Sequence, residues 1–270
     1  MGSNITFDIV GSFEASDLVE FDPQQLVNLY VDTDPNGKNG KALFATPGLD
    51  LDLGLRFAPG SGIPGRRFYL FNDYLYAVVG KVIYQVNTSL TVNKIGEIGT
   101  DEGYVGIADN GTEIIFVDGS GGWLFKPSAS LYTKITSAGF PENPTDIAVL
   151  GSRFIVNRAG TNQLHFSEIR DGLTWNVLDE FALTSQPDVV IGIRRLNDRL
   201  FVIGHRVTEV WYDAGEPVIP YRRSDVISFS FELKVSTAGV LQFEDDVIFF
   251  FDLNTGRSRN LNLLIRHYGT

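Results

Sequence analysis

The sequence predicts an all-β protein, and three observations support that prediction. Its 270 residues include 20 Phe and 10 Tyr but only one Met, and aromatic side chains fit the half-buried surface of a pleated sheet. Its 28 glycines supply the tight turns that short strands need. Short apolar runs alternate with such turns along most of the chain, and only Trp175–Leu183 allows one or two helical turns.

Composition and charge exclude several classes of protein. Hydrophobic residues make up 43% of the chain and charged residues 20%, which is enough apolar surface for a packed core. The formal net charge of −11 argues against broad nucleic-acid binding through counterion release. The chain has no cysteine, so disulfides, thiol nucleophiles and Cys-based zinc sites are excluded. We also expect no transmembrane helix, no secretory signal and no membrane anchor.

A hairpin is the first element that repeats. Leu75–Val79 and Val82–Val86 flank the tight turn Gly80-Lys81, the pattern of two antiparallel strands. The same order of polar opener, apolar strand, turn and second strand then recurs along the chain. The later turns lie at or near Asp118, Gly160, Gly204 and Asn254.

The spacing of these hairpins predicts how the sheets are organised. The polar openers are 39, 40, 46 and 47 residues apart, at Asp73, Thr112, Ser152, Asp198 and Asp245. Further apolar runs lie between the units, at Val105–Ala108, Asp146–Val149 and Val189–Gly192. A period of about 40–50 residues with about four strands per unit is typical of a β-propeller. A β-sandwich, the alternative, predicts no repeat of whole hairpins.

Residues 1–60 do not follow the repeat. Val27–Val31 and Lys41–Phe44 flank a loop of turn residues, which predicts a separate hairpin or arm. We therefore expect an N-terminal arm at 1–60 and a β-propeller body at 61–270 with about five repeat units.

Two patterns that could indicate bound metal are weak. The loop Asp32–Gly37 matches the first half of an EF-hand, but Leu43 stands where the bidentate Glu is required. The histidines are far apart in sequence, at His165, His205 and His267. We therefore expect neither a metal site nor a cofactor.

Carboxylates and tryptophans leave a glycan-directed alternative open. A glycosidase on a propeller needs paired carboxylates at the central pore, and a lectin stacks sugars on Trp. The candidate acids mostly lie at hairpin ends, where Asp bonds the nearby backbone: Asp73, Asp109, Asp118, Glu168, Asp198 and Asp245. The tryptophans lie near the ends of repeat units, at Trp123, Trp175 and Trp211. We expect turn roles for the acids, blade packing for the tryptophans and no catalytic residue. Convergence of both on the pore would favour the glycan alternative.

The arginines occur in adjacent couples: Arg66-Arg67, Arg194-Arg195 and Arg222-Arg223. Neighbours in a strand point to opposite faces, so one couple is not one patch. We expect them at a solvated rim or in interface salt bridges, with phosphates or acidic partner surfaces as the alternative ligands.

Six strings, in this order, resemble the packaged-DNA stabilisation proteins of short-tailed phages: Asn28–Asp34, Thr46–Leu49, Ala108–Thr112, Val117–Gly119, Asp171–Trp175 and Thr208–Tyr212. The resemblance covers about residues 20–225, and the chain departs from the family pattern after about Ser224. The propeller is then either incomplete, closed by the N-terminal strand Ile5–Val10, or that of a short homologue.

The resemblance implies a mechanical role in the virion tail. Such a protein is a tail hub or nozzle component, assembled in the bacterial host cytoplasm, that helps to retain packaged DNA until genome ejection. It forms a homo-oligomeric ring, here expected to be a hexamer, and binds the portal-adaptor protein, tail fibre or spike, and plug proteins. An acidic channel wall lets nearby DNA slide without specific binding. The alternative is a β-propeller glycan-binding protein or glycosidase that acts on host-surface polysaccharide.

Ring assembly requires an interface, and the sequence offers two candidates. The arm carries apolar strand residues, and exposed apolar hairpins are usually interaction surfaces. The second candidate is an aromatic residue beside an arginine couple. The candidate interface residues are Leu29, Tyr30, Phe44, Tyr221, Arg222 and Arg223.

Overall fold

The computed structural model of the chain describes Ile63, residues 65–185 and 187–230, and the strands at 29–32, 42–45, 240–243, 247–251 and 258–260. The chain divides into two units, Met1–Gly54 and Leu55–Thr270. The arm and body at 1–60 and 61–270 remain a prediction as functional domains.

In the first unit the described residues form one antiparallel pair of strands. β1 (Leu29–Asp32) pairs with β2 (Ala42–Ala45), with Leu29 opposite Ala45. The hairpin strands predicted here are therefore present. The EF-hand-like loop between them lies outside the described residues.

Four antiparallel sheets of four strands form most of the second unit. Blade 1 consists of β3 (Gly65–Phe71), β4 (Tyr74–Val79), β5 (Val82–Val86) and β6 (Val92–Glu97). Blade 2 consists of β7 (Gly106–Asp109), β8 (Ile114–Val117), β9 (Gly122–Lys126) and β10 (Leu131–Lys134). Blade 3 consists of β11 (Ile147–Leu150), β12 (Arg153–Asn157), β13 (Gln163–Phe166) and β14 (Glu180–Ala182). Blade 4 consists of β15 (Val190–Leu196), β16 (Arg199–Gly204), β17 (Val207–Asp213) and β18 (Tyr221–Ser230).

A fifth sheet follows with three described strands, β19 (Val240–Phe243), β20 (Val247–Phe251) and β21 (Ser258–Asn260). In all five sheets the strands pair in chain order. The first strands of blades 2, 3 and 4 contact one another in sequence, so the first strand of each blade lies towards a common axis. This arrangement confirms the all-β, propeller-like fold that the repeat predicted.

The repeat unit read from the sequence has a defined place in each sheet. The predicted hairpins are the second and third strands of all five sheets. The polar openers of blades 1 to 4 lie between the first and second strands, whereas Asp245 lies outside the described residues. The apolar runs between units supply the first strands β7, β11 and β15.

Turn chemistry accounts for the tight connection from β3 to β4. Asn72 and Asp73 have φ of 49° and 62°, so both central residues of the two-residue turn are left-handed. Such turns match the twist of antiparallel strands, and Asn and Asp tolerate this conformation better than other side chains.

The helical turns that the sequence allowed at Trp175–Leu183 are absent. That stretch contains a turn at Val177-Leu178 and then β14. Within the described part of the chain, helix is limited to the 3-10 turn Pro127–Ala129.

The hydrophobic core lies between successive blades. The cluster between blades 1 and 2 centres on Tyr76 and Phe116. The cluster between blades 2 and 3 contains Phe154 and Trp175. The cluster between blades 3 and 4 contains Phe166, Phe181, Trp211 and Tyr221. Because both faces of a blade are apolar, each blade is stabilised by the blades beside it.

Candidate functional site

A cavity of about 430 Å³ lies where the first strands of four blades face one another. We call it the axial cavity. Its walls come from β3, β7, β11 and β15 and from the residues just before β7 and β11. Its polar lining residues are Arg67, Tyr69, Tyr104, Asp109, Asp146, Arg194 and Arg195.

Blades 1 and 2 are joined at the cavity by a tyrosine and a carboxylate. The Tyr69 hydroxyl donates to Asp109 Oδ2 over 2.5 Å, and the Gly111 N–H donates to Asp109 Oδ1 over 2.9 Å. Burial, together with the negative charge of Asp109, raises the pKa of Tyr69 far above its usual value. Tyr69 therefore stays protonated and keeps its hydrogen bond to Asp109.

Blades 2, 3 and 4 meet at Asp146, which is 1% exposed. Its carboxylate accepts the Ile193 N–H over 2.8 Å, the Tyr104 hydroxyl over 3.3 Å and a short bond from the Arg194 guanidinium. Burial alone would lower the pKa of Arg194, but the attraction of Asp146 outweighs it and raises that pKa. This buried ion pair is hydrogen-bonded on both sides, which is the condition under which burying two charges is tolerated.

Arg67 enters the same cavity from blade 1. Its guanidinium carbon lies 5.1 Å from the centroid of the Tyr104 ring. None of the ion pairs among the described residues includes Arg67. An arginine placed over an aromatic ring contributes a cation–π contact, here between blades 1 and 2.

The described lining of the cavity contains two carboxylates, Asp109 and Asp146, and both take part in hydrogen bonds that join blades. Five of the six acids considered from the sequence are among the described residues, and of these only Asp109 lines the cavity; Asp245 lies outside the described residues. None of the three tryptophans is in the described lining. Trp123, Trp175 and Trp211 instead lie in the clusters between blades. Among the described residues no three His, Asp or Glu side chains are placed to bind one metal ion.

A carboxylate that the sequence did not single out clamps blades 2 and 3. Glu113 accepts the Gly172 N–H over 3.0 Å at Oε2 and lies 3.1 Å from Lys126 Nζ at Oε1. Gly172 is itself required here, because a Cβ would lie 2.6 Å from a methyl group of Leu124. Glu113 and Gly172 are 59 positions apart, so local sequence could not predict their contact. The glycine within the string Asp171–Trp175 was the one signal of a close approach.

Trp175 completes this contact. Its indole N–H donates to the Gly172 carbonyl over 2.8 Å, and its backbone N–H and C=O both bond Ser137 Oγ. Its ring meets Phe140 edge-on at 4.9 Å. The string Asp171–Trp175 therefore joins blades 2 and 3. This agrees with the blade-packing role that the sequence predicted for Trp175.

Two further buried acids act in the same way. Asp118 accepts the Thr100 N–H over 2.7 Å and the Ser120 N–H over 2.9 Å, which confirms its turn role and ties blade 1 to blade 2. Glu209, fully buried, accepts the Thr184 N–H over 2.9 Å and the Trp211 indole N–H over 3.0 Å. Glu209 therefore fixes the segment that leads from blade 3 to blade 4.

His165 in β13 is buried, and neither ring nitrogen makes a hydrogen bond of ordinary geometry with a described residue. Its Nε2 lies 3.7 Å from Glu180 Oε2. Burial lowers the pKa of His165, and the nearby Glu180 only partly offsets that effect.

Among the described residues, most of the exposed apolar side chains lie at one end of the propeller. In an antiparallel sheet read in chain order, the first and third connections lie at the same end, which we call the turn face. Tyr221 Oη donates to the Leu150 carbonyl, so the turn faces of blades 3 and 4 coincide. Its exposed apolar residues are Tyr74, Leu90, Leu131, Ile169, Val177, Leu178, Val218 and Ile219.

The opposite end differs. Among the described residues, Ile63 is the large exposed apolar side chain placed there, beside Gly80 in the turn between β4 and β5. Apolar patches of more than a few isolated residues usually mark protein contacts.

The candidate interface residues fall into two groups. Leu29, Tyr30 and Phe44 lie in β1 and β2, and their side chains are outside the described residues. Tyr221 is 3% exposed and packs between blades 3 and 4, with its hydroxyl 3.0 Å from the Leu150 carbonyl.

The arginine couple beside Tyr221 is more accessible. Arg222 bonds Glu216 over 2.7 Å at two atoms, and Arg223 lies 3.3 Å from Asp225. The surface available here is therefore that of the arginines, and their interface role stays a prediction.

No helix in the described part of the chain is long and apolar enough to cross a membrane.

Comparison with known families identifies the protein. The family described as "Bacteriophage P22 Gp10, beta-propeller" matches residues 6–250. The chain belongs to this family. The match confirms the phage DNA-stabilisation family that the six strings resemble, and it makes the protein a structural component of a phage virion.

Solved structures agree with the fold. A crystal structure of a nidogen/laminin complex is similar with a TM-score of 0.52 and 15% identity, covering 87% of this chain and 85% of that chain. Hsv2 of Kluyveromyces lactis is similar with a TM-score of 0.46 and 14% identity, covering 69% of this chain and 64% of that chain. At such identities the likeness to the first concerns the fold alone. No curated protein matches the chain.

Proposed function

We propose that this family member is a hub or nozzle component of a short phage tail. In that role it helps to retain packaged DNA and connects the portal-adaptor ring to tail fibres or spikes during genome ejection. The observation that carries the proposal is the family match over residues 6–250, nearly the whole chain.

The positions of the family-like strings support a mechanical role. Asp171–Trp175 joins blades 2 and 3. Thr208–Tyr212 contains Glu209, which binds the segment between blades 3 and 4. Val117–Gly119 contains Asp118, which ties blades 1 and 2. Residues with these partners stabilise the body against deformation rather than bind a substrate.

The turn face is the surface we assign to a neighbouring virion protein, with the adaptor ring as its expected partner. Leu178 is 84% exposed and Val218 is 76% exposed, in the loops of adjacent blades 3 and 4. Apolar side chains at the centre of a protein interface are well matched to a protein partner and poorly matched to DNA phosphates. The formal charge of −11 further favours DNA that passes without being held.

Two substitutions on this face test the proposal. Leu178→Glu and Val218→Glu together should leave the purified protein folded and prevent its incorporation into virions, measured by complementation of a phage that lacks the gene. Ile63→Glu adds a carboxylate at the opposite end and should assemble normally. Normal virions from the double variant would exclude the turn face as the docking surface.

A virion map distinguishes the hub role from the alternatives. We expect a closed ring of copies between the adaptor and the distal tail parts, with residues 1–60 and Arg222-Arg223 at contacts with neighbouring chains. A copy located away from the DNA path would contradict the proposal, and hydrolysis of host polysaccharide by the purified protein would favour the glycan alternative.

A further inference from the structure

The axial cavity has an excess of positive charge in an acidic protein. Its lining contains three arginines and two aspartates, whereas the whole chain has a formal net charge of −11. A local excess of positive charge inside a concave site attracts anionic ligands. The sign of the lining therefore points to an anionic ligand.

The two carboxylates of the cavity already have strong partners. Asp146 accepts from Ile193, Tyr104 and Arg194, and Asp109 accepts from Tyr69 and Gly111. These bonds join the blades, so a ligand that competed for them would loosen the body. A cationic ligand is therefore disfavoured.

Arg67 is the cation placed to receive the anion. It lies over the Tyr104 ring, and no described carboxylate lies within ion-pair distance of it. A cation–π contact attracts the guanidinium charge without a hydrogen bond from its N–H groups. The N–H donors of Arg67 are therefore suited to bind a carboxylate.

The apolar part of the cavity wall indicates the chemistry of the uncharged part of the ligand. Apolar side chains of Phe68, Ile107, Ala108, Ile147 and Ala148 line the same cavity. A volume of about 430 Å³ is within the range of small-molecule sites. A phosphate would bring further negative charge near Asp109 and Asp146, whereas a carboxylate brings one charge and an aliphatic chain for the apolar wall.

We propose that the axial cavity binds an aliphatic carboxylate through Arg67. The ligand is either a small free acid or a Glu or Asp side chain on a peptide that enters the propeller along its axis. This site is separate from the turn face, and its presence or absence leaves the proposed hub role unaffected.

Butyrate is the probe for the free acid, and N-acetylglutamate N-methylamide is the probe for the peptide side chain. Binding is measured on the full-length protein at constant ionic strength, by chemical-shift changes of the arginine side-chain N–H signals. Butyramide, the neutral analogue, should not bind. Tighter binding of the glutamate derivative indicates a peptide source, and equal or weaker binding indicates a free acid.

Arg67→Gln should weaken binding of both carboxylates by about tenfold or more, because it removes the charge and the donor fork. Arg170→Gln is the matched control, since it removes the same charge from an exposed loop outside the cavity. If Arg67→Gln does not fold, Arg67→Lys keeps the charge without the planar fork and should still weaken binding several-fold.

Three results would overturn the proposal. They are the absence of saturable carboxylate binding, equal affinity in the wild type and in the Arg67 variants, and preferential binding of inorganic phosphate over butyrate.

Discussion

The boundary between blades 2 and 3 and the face of β3 that carries Phe68 and Leu70 consist of similar apolar strands, but only the boundary is covered by a neighbouring described blade. At the boundary, Trp175 is 3% exposed and Glu113 bonds Gly172 across the two blades. On β3, Phe68 is 65% exposed and Leu70 is 72% exposed. Blade 1 is thus covered on the face that packs against blade 2, whereas no described blade covers its other face.

The difference shows that burial in this fold depends on the neighbouring blade more than on the strand itself. All four residues of β8 are buried, because blades 1 and 3 cover its two faces. β20 is apolar at all five positions, Val247–Phe251, which is the pattern of a strand covered on both faces. We infer that the fifth sheet requires a second neighbour and that the face of β3 with Phe68 and Leu70 is suited to that place.

Loss of the Trp175 contacts between blades 2 and 3 should have the largest effect on stability. Trp175→Ala removes a buried ring, its contact with Phe140 and its bond to the Gly172 carbonyl. We expect the free energy of unfolding to fall by about 3–5 kcal/mol. Trp175→Phe, measured by the same urea titration, should cost clearly less. A decrease of less than about 1 kcal/mol in the free energy of unfolding would mean that Trp175 contributes little to the contact between blades 2 and 3.

A methyl group at the same boundary should have a smaller effect. Gly172→Ala places a Cβ 2.6 Å from Leu124 and 2.8 Å from Ile115, both in the packed core. We expect a loss of about 1–3 kcal/mol from overpacking. Gly111→Ala tests glycine loss where the Cβ meets nothing within 4 Å, and its cost should come from φ of 88° alone. Equal melting temperatures for Gly172→Ala and the wild type would contradict the close packing inferred here.

Acid should weaken the boundary side of blade 3 through His165. Burial lowers its pKa in the folded state below the ordinary 6.5, so the unfolded chain binds the proton first. Its contribution is therefore complete above about pH 6.5 and decreases as the pH falls below that value. His165→Gln should reduce the loss of stability between pH 7.5 and 5.5. Identical pH profiles for the wild type and His165→Gln would refute this.

The smallest effect is expected on β3, and it sharpens the comparison. If the face of β3 with Phe68 and Leu70 stays uncovered in the isolated chain, Phe68→Ser and Leu70→Ser should change stability by less than about 0.5 kcal/mol. A cost of about 2 kcal/mol or more for either would indicate that another sheet covers this face. The same urea titration with Phe116→Ser, at a fully buried site, provides the upper reference.

Sequence reasoning found the second and third strands of all five sheets and the first strands β7, β11 and β15, because their signals are local, but it did not find β3 or β19. Apolar runs and turns such as Asn72-Asp73 are fixed by neighbours in the chain. The fourth strands carried a weak pattern, as in Val92–Glu97, because an outer strand faces solvent and mixes polar with apolar residues.

The site was less accessible to such reasoning. The bond from Gly172 to Glu113 joins residues 59 positions apart, and the bond from Tyr69 to Asp109 joins residues 40 apart. Tyr221 was an interface candidate as the aromatic residue beside an arginine couple; it begins β18 and packs against Phe166 and Phe181. Only the arrangement of the blades decides which of these side chains meet.

The acids at the axis also bear on how the chain is made. Tyr69 meets Asp109 40 residues later, Tyr104 meets Asp146 42 residues later, and Asp146 meets Arg194 48 residues later. Each separation is close to one blade, so each bond becomes available when the next blade leaves the ribosome. Translation at about 5–20 residues per second gives each new blade seconds to dock before the following one appears. The axial hydrogen bonds thus favour assembly in chain order and disfavour pairing between distant blades.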